Sequence, residues 1–242
     1  MDKLERQALF LQAIVQEYIK TAKPVSSKAL VEEYEFDFSP ATIRNDMAEL
    51  EKQNLIIQPH PSAGRVPTER GYQYYIQHFL KHQELTTAKK RPIAEAVQKK
   101  AFTPEERVKR LAKTLAALTK EVIVVSLSDG EAYYTGIAHI FSQPEFTQGR
   151  QLMLEVSSAL DELDKVMSDL QTECTGEEVR VLIGQENPFA KNCSMLISEY
   201  DLAEDNSRGM LGILGPMRMD YDTNIAILNY IEKLMDERHE EH

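Results

Sequence analysis

One face of a predicted helix in residues 39–53 carries side chains that suit contacts with duplex DNA. With 100° between successive residues, the face opposite the apolar positions presents Ala41, Asn45, Ala48 and Lys52, flanked by Thr42 and Arg44. Asparagine can pair bidentately with adenine and arginine with guanine, and a helix fits the major groove. We therefore infer that this face is a candidate surface for reading DNA.

A second basic position follows this helix. Residues 54–58 are typical of a short strand, residues 59–64 of a loop, and residues 65–67 of a returning strand. In such a two-stranded wing, Arg65 would extend towards a phosphate or the minor groove.

Three predicted helices position these groups. The apolar residues of the first helix, residues 3–20, recur at steps of four and three; they are Leu4, Ala8, Leu11, Val15 and Tyr18. Ser26 is a suitable N-cap for a short second helix ending at residue 34, and Ser39 followed by Pro40 is a stronger start signal for the third. Three helices and a two-stranded ribbon describe a winged helix-turn-helix, although a small helical domain that binds no DNA explains the pattern equally well.

The net charge of −11, taken as an average, argues against a nucleic-acid ligand, because basic side chains must neutralise phosphates. The charge is unevenly distributed: it is −1 in residues 1–82, +6 in residues 83–120 and −16 in residues 121–242. This asymmetry favours two domains with those boundaries, the winged helix-turn-helix as the candidate DNA-binding domain and an acidic C-terminal domain, joined by a basic helical linker. A solvated helix face is the simplest explanation of the basic run 89–91.

Longer segments resemble the HrcA family of bacterial heat-inducible transcription repressors. In the N-terminal part they are KPVSSKAL at 23–30, SPATIRNDMAELE at 39–51, QPHPSAGRVPT at 58–68 and GY at 71–72. In the C-terminal part they are SQPEF at 142–146, VLIGQEN at 181–187, CS at 193–194 and GILGPMRMDY at 212–221. The resemblance covers nearly the whole chain.

The resemblance implies a repressor of heat-shock and chaperone genes that binds an inverted-repeat operator in double-stranded DNA as a homodimer and is released on heat stress. It also implies a chaperonin that keeps the repressor active, a location at the nucleoid, and a GAF-like second domain with a regulatory or dimerising role. Carried over by position, the residues implied to contact DNA are Ser27, Lys28, Ser39, Thr42, Arg44, Asn45, Gly64 and Arg65.

The chain departs from the family in length. Residues 122–127 resemble the strand that precedes the family's inserted dimerising domain, yet residues 136–146 already resemble the sequence that follows it. We therefore expect most of the inserted domain to be absent, which leaves the means of dimerisation open.

A helix at residues 103–120 offers one replacement for the inserted domain. It opens with a capping box at 103–106, and its apolar residues step by three, four and three; they are Val108, Leu111, Leu115 and Leu118. Two heptads are short for a self-standing coiled coil, so packing against the chain's own C-terminal sheet is the alternative to dimerisation.

The C-terminal residues predict an α+β sandwich, which agrees with a GAF-like fold. Strands are predicted at 122–127, 131–141, 179–184, 194–202 and 208–215, a long helix at 150–172, and a final helix from residue 221.

Other chemistry has little support. The glycine-rich segment 209–215 lacks the Lys-Ser or Lys-Thr of a phosphate-binding loop, and the histidine pairs 78/82 and 239/242 have no third metal ligand nearby in sequence. Cys174 and Cys193 are too few for a disulfide framework, so we expect reduced, buried thiols. We predict no catalytic group, cofactor, metal or membrane span, and hence a cytoplasmic protein that is not an enzyme.

Two alternatives to a repressor remain open from the sequence. The first is a winged-helix regulator whose GAF-like domain senses a small molecule, which a ligand-dependent rise in melting temperature would support. The second is a protein-interaction module that uses the winged helix without DNA.

Overall fold

The computed structural model describes residues 2–80, 83–98, 102–127, 130–147, 149–173, 179–202 and 207–239. It divides into two compact units. The N-terminal unit comprises Met1–Lys81 with Met217–Asp220, and the C-terminal unit comprises His82–Pro216 with Tyr221–His239 and the chain end.

The N-terminal unit is a winged helix-turn-helix, as predicted. Its elements are α1 (Lys3–Thr21), α2 (Ser27–Tyr34), α3 (Pro40–Lys52), β1 (Ile56–Ile57), β2 (Val66–Pro67) and α4 (Glu69–Phe79). The two predicted N-caps, Ser26 of α2 and Ser39 of α3, are confirmed. Ser26 Oγ accepts a hydrogen bond from Ala29 N–H, and Ser39 Oγ accepts one from Thr42 N–H, each at 3.1 Å.

The buried stripe of α1 differs from the predicted one. Phe10 and Ile14 are fully buried beside Leu11 and Val15, whereas Leu4 is 74% exposed. Leu4 lies in the first turn of the helix, where it is outside the buried part of the unit.

The C-terminal unit contains a five-stranded sheet and seven α-helices among its described residues. In chain order the elements are α5 (Thr87–Gln98), α6 (Pro104–Thr119), β3 (Val122–Ser126), β4 (Ala132–Thr135), α7 (Ile137–Phe141), α8 (Pro144–Thr147), α9 (Arg150–Asp161), α10 (Leu163–Glu173), β5 (Arg180–Ile183), β6 (Cys193–Leu202), β7 (Ser207–Pro216) and α11 (Tyr221–His239). The sheet order is β4-β3-β7-β6-β5, and every pairing is antiparallel. This is the α+β, GAF-like architecture expected from the sequence.

Helices cover both faces of the sheet. On one face, Val122, Val124 and Met195 belong to a buried apolar cluster that includes side chains of α9 and α10. On the other face, Ile123 and Val125 are buried, and α6 and α11 contact β3 and β6. A sheet buried on both faces accounts for the nearly continuous apolar run in β3.

Two predicted elements are shorter than the sequence indicated. The strand expected at 131–141 ends at Thr135, because Gly136 adopts a φ of +95° and the chain then enters α7. A Cβ atom at Gly136 would lie 2.3 Å from the carbonyl oxygen of Glu121, so this position also needs glycine for space. The helix expected at 150–172 is interrupted at Glu162, between α9 and α10.

Cys193 is a free, buried thiol. Burial, with a smaller contribution from Glu121, raises its pKa to about 12, so the thiol stays protonated near neutral pH. Cys174 lies outside the described residues. Among the described segments, no helix is both long enough and apolar enough to cross a membrane.

Candidate nucleic-acid interface

The outward face of α3 carries the side chains that the sequence assigned to DNA reading. Arg44 and Asn45 are both exposed, as are Ala41 and Ala48. Within the part of the chain that the structure describes, neither Arg44 nor Asn45 has a hydrogen-bond or ion-pair partner. Their donors and acceptors are therefore available to a base edge or a phosphate.

Ser39 and Thr42 serve first to begin this helix. Besides the capping bond, Ser39 Oγ and Thr42 Oγ1 lie 2.9 Å apart and share a hydrogen bond. Both residues lie at the N-terminus of α3, whose free backbone N–H groups favour a negatively charged ligand such as phosphate.

Ser27 and Lys28 open α2. Ser27 is buried, whereas Lys28 is exposed and its Nζ lies 3.5 Å from Oε1 of Glu32, one turn along the helix. A surface pair of this kind contributes little free energy, so Lys28 can turn towards a phosphate at small cost.

A buried carboxylate that sequence reasoning missed fixes the orientation of α3. Asp46 lies on the inner side of the helix, where its Oδ2 accepts a hydrogen bond from Arg6 Nε at 2.6 Å and its Oδ1 one from Gln7 Nε2 at 3.3 Å. The hydrogen bond from Arg6 to Asp46 raises the pKa of Arg6 above its ordinary value. Because Asp46 follows Asn45 directly, its bonds to Arg6 and Gln7 tie the turn of α3 that carries Asn45 to α1. The signal in the sequence was a charged residue between apolar positions of an amphipathic helix.

We expect Asp46→Asn to lower the melting temperature of the N-terminal unit by about 5 °C, because the bonds to Arg6 and Gln7 lose their charged acceptor. Thermal unfolding of the full chain measures this, with hydrogen exchange of the α1 and α3 amides identifying the unit that melts. Asp37→Asn, which removes an exposed carboxylate from the turn before α3, is the matched control. An equal shift for both variants would contradict the anchoring role.

The wing is a short hairpin in which Ile56 pairs with Pro67 and Ile57 with Val66. Gln58 holds its loop together, since its Nε2 donates to the carbonyl oxygens of Pro61 at 3.0 Å and Ala63 at 2.9 Å. His60 and Ser62 lie exposed at the tip. A preorganised tip of this kind can approach the DNA backbone without first being ordered.

Gly64 and Arg65 lie at the base of the wing, and the structure places Arg65 differently from the prediction. The Arg65 side chain is only 16% exposed, and its Nη2 and Nε lie 3.0 and 3.1 Å from Oε2 of Glu51. It does not extend from the wing, because this carboxylate at the end of α3 holds it. At Gly64 a Cβ atom would lie 2.4 Å from the carbonyl carbon and oxygen of Val25, so glycine is needed there for the close approach of two backbones.

The side chains of the basic run 89–91 contact other residues of the C-terminal unit. Lys89 Nζ lies 3.4 Å from Thr223 Oγ1, Lys90 lies over the ring of Tyr230, and Arg91 pairs with Glu95 on its own helix. These contacts give the +6 segment a role in packing α5.

The apolar seam of α6 faces the chain's own core, which corrects the dimerisation hypothesis. Val108, Leu111 and Leu115 are 3% exposed or less, and Leu118 is half-buried. Packing against the C-terminal sheet, the alternative considered from the sequence, therefore accounts for the seam. The first three side chains are not available to a second copy.

The histidines offer no metal site among the described residues. No group of three or more His, Cys, Asp or Glu side chains that could hold an ion occurs there. His78 lies 4.3 Å from the ring of Tyr74, while His82 and His242 fall outside the described residues.

Comparison with known proteins identifies the family. A model of the HrcA protein C-terminal domain matches residues 67–225, well over half of the chain. The chain belongs to the HrcA family. A model of the DeoR-like helix-turn-helix domain matches residues 11–68 of the same chain, which contain α2, α3 and the wing. HrcA membership and this DNA-binding domain together make the chain a transcriptional repressor.

Individual relatives extend over nearly the full chain. The heat-inducible transcription repressor HrcA of Natranaerobius thermophilus is 30% identical over 93% of this chain and 94% of its own length. That of Halalkalibacterium halodurans is 24% identical over 95% of each. A crystal structure of a hypothetical protein aligns with a TM-score of 0.79 at 20% identity, covering 97% of this chain and 98% of its own, which supports the fold.

The alignments also show that this chain is shorter than its relatives. The alignment with the Halalkalibacterium repressor runs over 331 positions, whereas 95% of 242 residues is about 230, so about 100 positions have no counterpart here. In the structure β3 and β4 form a direct hairpin in which Ser126 pairs with Ala132. Both observations agree with the expected absence of the inserted domain between these strands.

Proposed function

We propose that this HrcA-family repressor binds an inverted-repeat operator as a homodimer, represses heat-shock and chaperone genes, and is released on heat stress. The observation that carries the DNA contact is the exposed pair Arg44 and Asn45 on the outward face of α3, for which the described residues provide no hydrogen-bond or ion-pair partner. Lys28, Ser39 and Thr42 lie at the N-termini of α2 and α3, where their side chains would contact phosphates and set the register. The Ser27 side chain is buried, so Ser27 would contribute through its backbone at the start of α2. We place this activity in the cytoplasm, at the nucleoid.

The proposed division of labour follows the charge distribution. Residues 1–82 would read DNA, and residues 121–242 would regulate or dimerise. Residues 83–120, predicted to be a linker, contain α5 and α6, which pack within the C-terminal unit and would share its role. An inverted repeat requires two readers related by a two-fold axis, with half-sites one helical turn or a multiple apart. Family resemblance adds a chaperonin that keeps the repressor active.

A salt titration of binding to duplex DNA tests this proposal. The probe is the inverted-repeat duplex that the full chain enriches from a randomised library, with a scrambled duplex as control. We expect two chains per duplex by light scattering. We also expect the logarithm of the binding constant to fall with the logarithm of salt concentration at a slope of about −4 or steeper, since Lys28 and Arg44 of two chains supply at least four cations.

Three results would contradict the proposal. They are enrichment of no inverted repeat, a complex with one chain per duplex, and a binding constant that does not change with salt. The last would favour the winged helix as a protein-interaction module.

A further inference from the structure

The carboxylate of Glu51 joins the recognition helix to the wing. Its Oε1 accepts a hydrogen bond from the backbone N–H of Gln58 at 3.0 Å, at the point where β1 enters the wing loop. Its Oε2 accepts from Arg65 Nε at 3.1 Å, at the point where the loop returns towards β2. Both strands of the wing base are therefore bound to the last turn of α3 through one side chain.

Arg65 connects this carboxylate to a third DNA-facing element. Its backbone N–H donates to the carbonyl oxygen of Val25, and its own carbonyl oxygen accepts from Val25 N–H, each at 2.8 Å. Val25 immediately precedes Ser26, the N-cap of α2. The close approach at Gly64 brings the two backbones within range of this bridge. Arg65 thus contacts the segment before α2 through its backbone and α3 through its side chain.

We propose that Glu51 and Arg65 form a positioning pair that fixes the wing relative to the recognition helix, and that Arg65 contributes to DNA binding through this pair and not through a phosphate. The inference deepens the proposed function and rests on it. The observation behind it is geometric: the guanidinium is mostly buried and turned inward to α3, while the exposed tip of the wing is formed by His60 and Ser62.

The pair has a physical reason to affect affinity. The wing has only two residues in each strand, and so short a hairpin is marginally stable by itself. Without the carboxylate the wing would have to be ordered when DNA binds, and that ordering would weaken the complex. Releasing Arg65 would not compensate, because its backbone bridge to Val25 holds it at the base of the wing.

A double-mutant cycle tests the pair. In the full chain, Glu51→Gln and Arg65→Gln are each expected to weaken binding to the enriched inverted-repeat duplex about tenfold, and the double variant to bind no more weakly than either. The salt slope stays at its wild-type value in all three. Arg65→Lys keeps the charge but loses the planar fork, so it is expected to lose nearly as much affinity as Arg65→Gln.

Glu49→Gln is the matched control, because it removes a neighbouring carboxylate of α3 whose Oε1 pairs with Lys52 Nζ one turn along the same helix, at 3.0 Å. Loss of a negative charge near DNA is expected to leave the binding constant unchanged or raise it slightly. Circular dichroism and the melting temperature verify that each variant folds. If Glu51→Gln melts below the assay temperature, the Arg65→Lys measurement decides instead.

The inference is overturned if Glu51→Gln binds as tightly as the wild type or more tightly. It is also overturned if Arg65→Gln reduces the magnitude of the salt slope by about one per chain while Arg65→Lys retains affinity, since that is the behaviour of a phosphate contact. Failure of the proposed function differs from both results, because the wild-type chain itself would then fail to distinguish the enriched duplex from the scrambled one.

Discussion

Replacement of Asn45 by alanine is expected to cost about 1 to 3 kcal/mol of binding free energy on the enriched operator and little on a scrambled duplex. The side chain lies exposed at the centre of the outward face of α3, between the small residues Ala41 and Ala48. Its amide has the donor and acceptor needed for a bidentate contact with adenine, and alanine has neither. Fluorescence anisotropy with both duplexes at one salt concentration measures the difference.

Lys28→Ala is the control for this experiment. It removes an exposed cation, so affinity is expected to fall by a similar factor on both duplexes and the salt slope to become shallower by about one per chain. Equal losses on the two duplexes for Asn45→Ala would show that Asn45 does not read a base. The assignment of base reading to this face of α3 would then pass to Arg44.

Replacement of Leu115 by alanine is expected to lower the free energy of unfolding of the C-terminal unit by about 2 to 5 kcal/mol. Leu115 is fully buried in α6, against the unit's own core, so the substitution removes packed atoms and leaves a cavity. The mass of the folded protein is expected to stay unchanged, because this side chain is not available to a second copy. Denaturant unfolding and light scattering provide the two measurements.

Lys113 lies on the exposed side of the same helix, so Lys113→Ala is the matched control. It is expected to change the free energy of unfolding by less than about 0.5 kcal/mol. The decisive comparison is between stability and mass. A Leu115→Ala protein with wild-type stability and half the wild-type mass would place the seam in a dimer interface and contradict the packing seen here.

Much of the N-terminal unit followed from local chemistry. Ser26 and Ser39 cap α2 and α3 in the structure as the sequence predicted, because an N-cap depends on residues within one turn. The outward face of α3 was likewise correct, since helical periodicity alone places Arg44 and Asn45 opposite the buried side. The error at Leu4 arose because periodicity does not tell how far packing extends along a helix.

In the C-terminal unit, too, sequence patterns located the elements but did not predict where each ends or what it packs against. Strand composition located β3, β6 and β7, but a single conformation at Gly136 converted the end of one predicted strand into α7. Whether the α6 seam faced the sheet or a partner could not be decided from its spacing, because both environments require the same apolar side chains.

The sequence by itself determined the family, the winged helix-turn-helix, the α+β C-terminal unit and the outward face of α3, which we propose meets DNA. Each of these depends on residue type and on spacing along the chain. Only the tertiary structure decided the roles of Asp46, Glu51 and Arg65, because their partners lie 40, 14 and 14 positions away. From the sequence alone, a charged side chain is expected to lie on the surface, because its partner cannot be identified. In the structure, the carboxylates of Asp46 and Glu51 turn inward from the recognition helix and bind α1 and the wing.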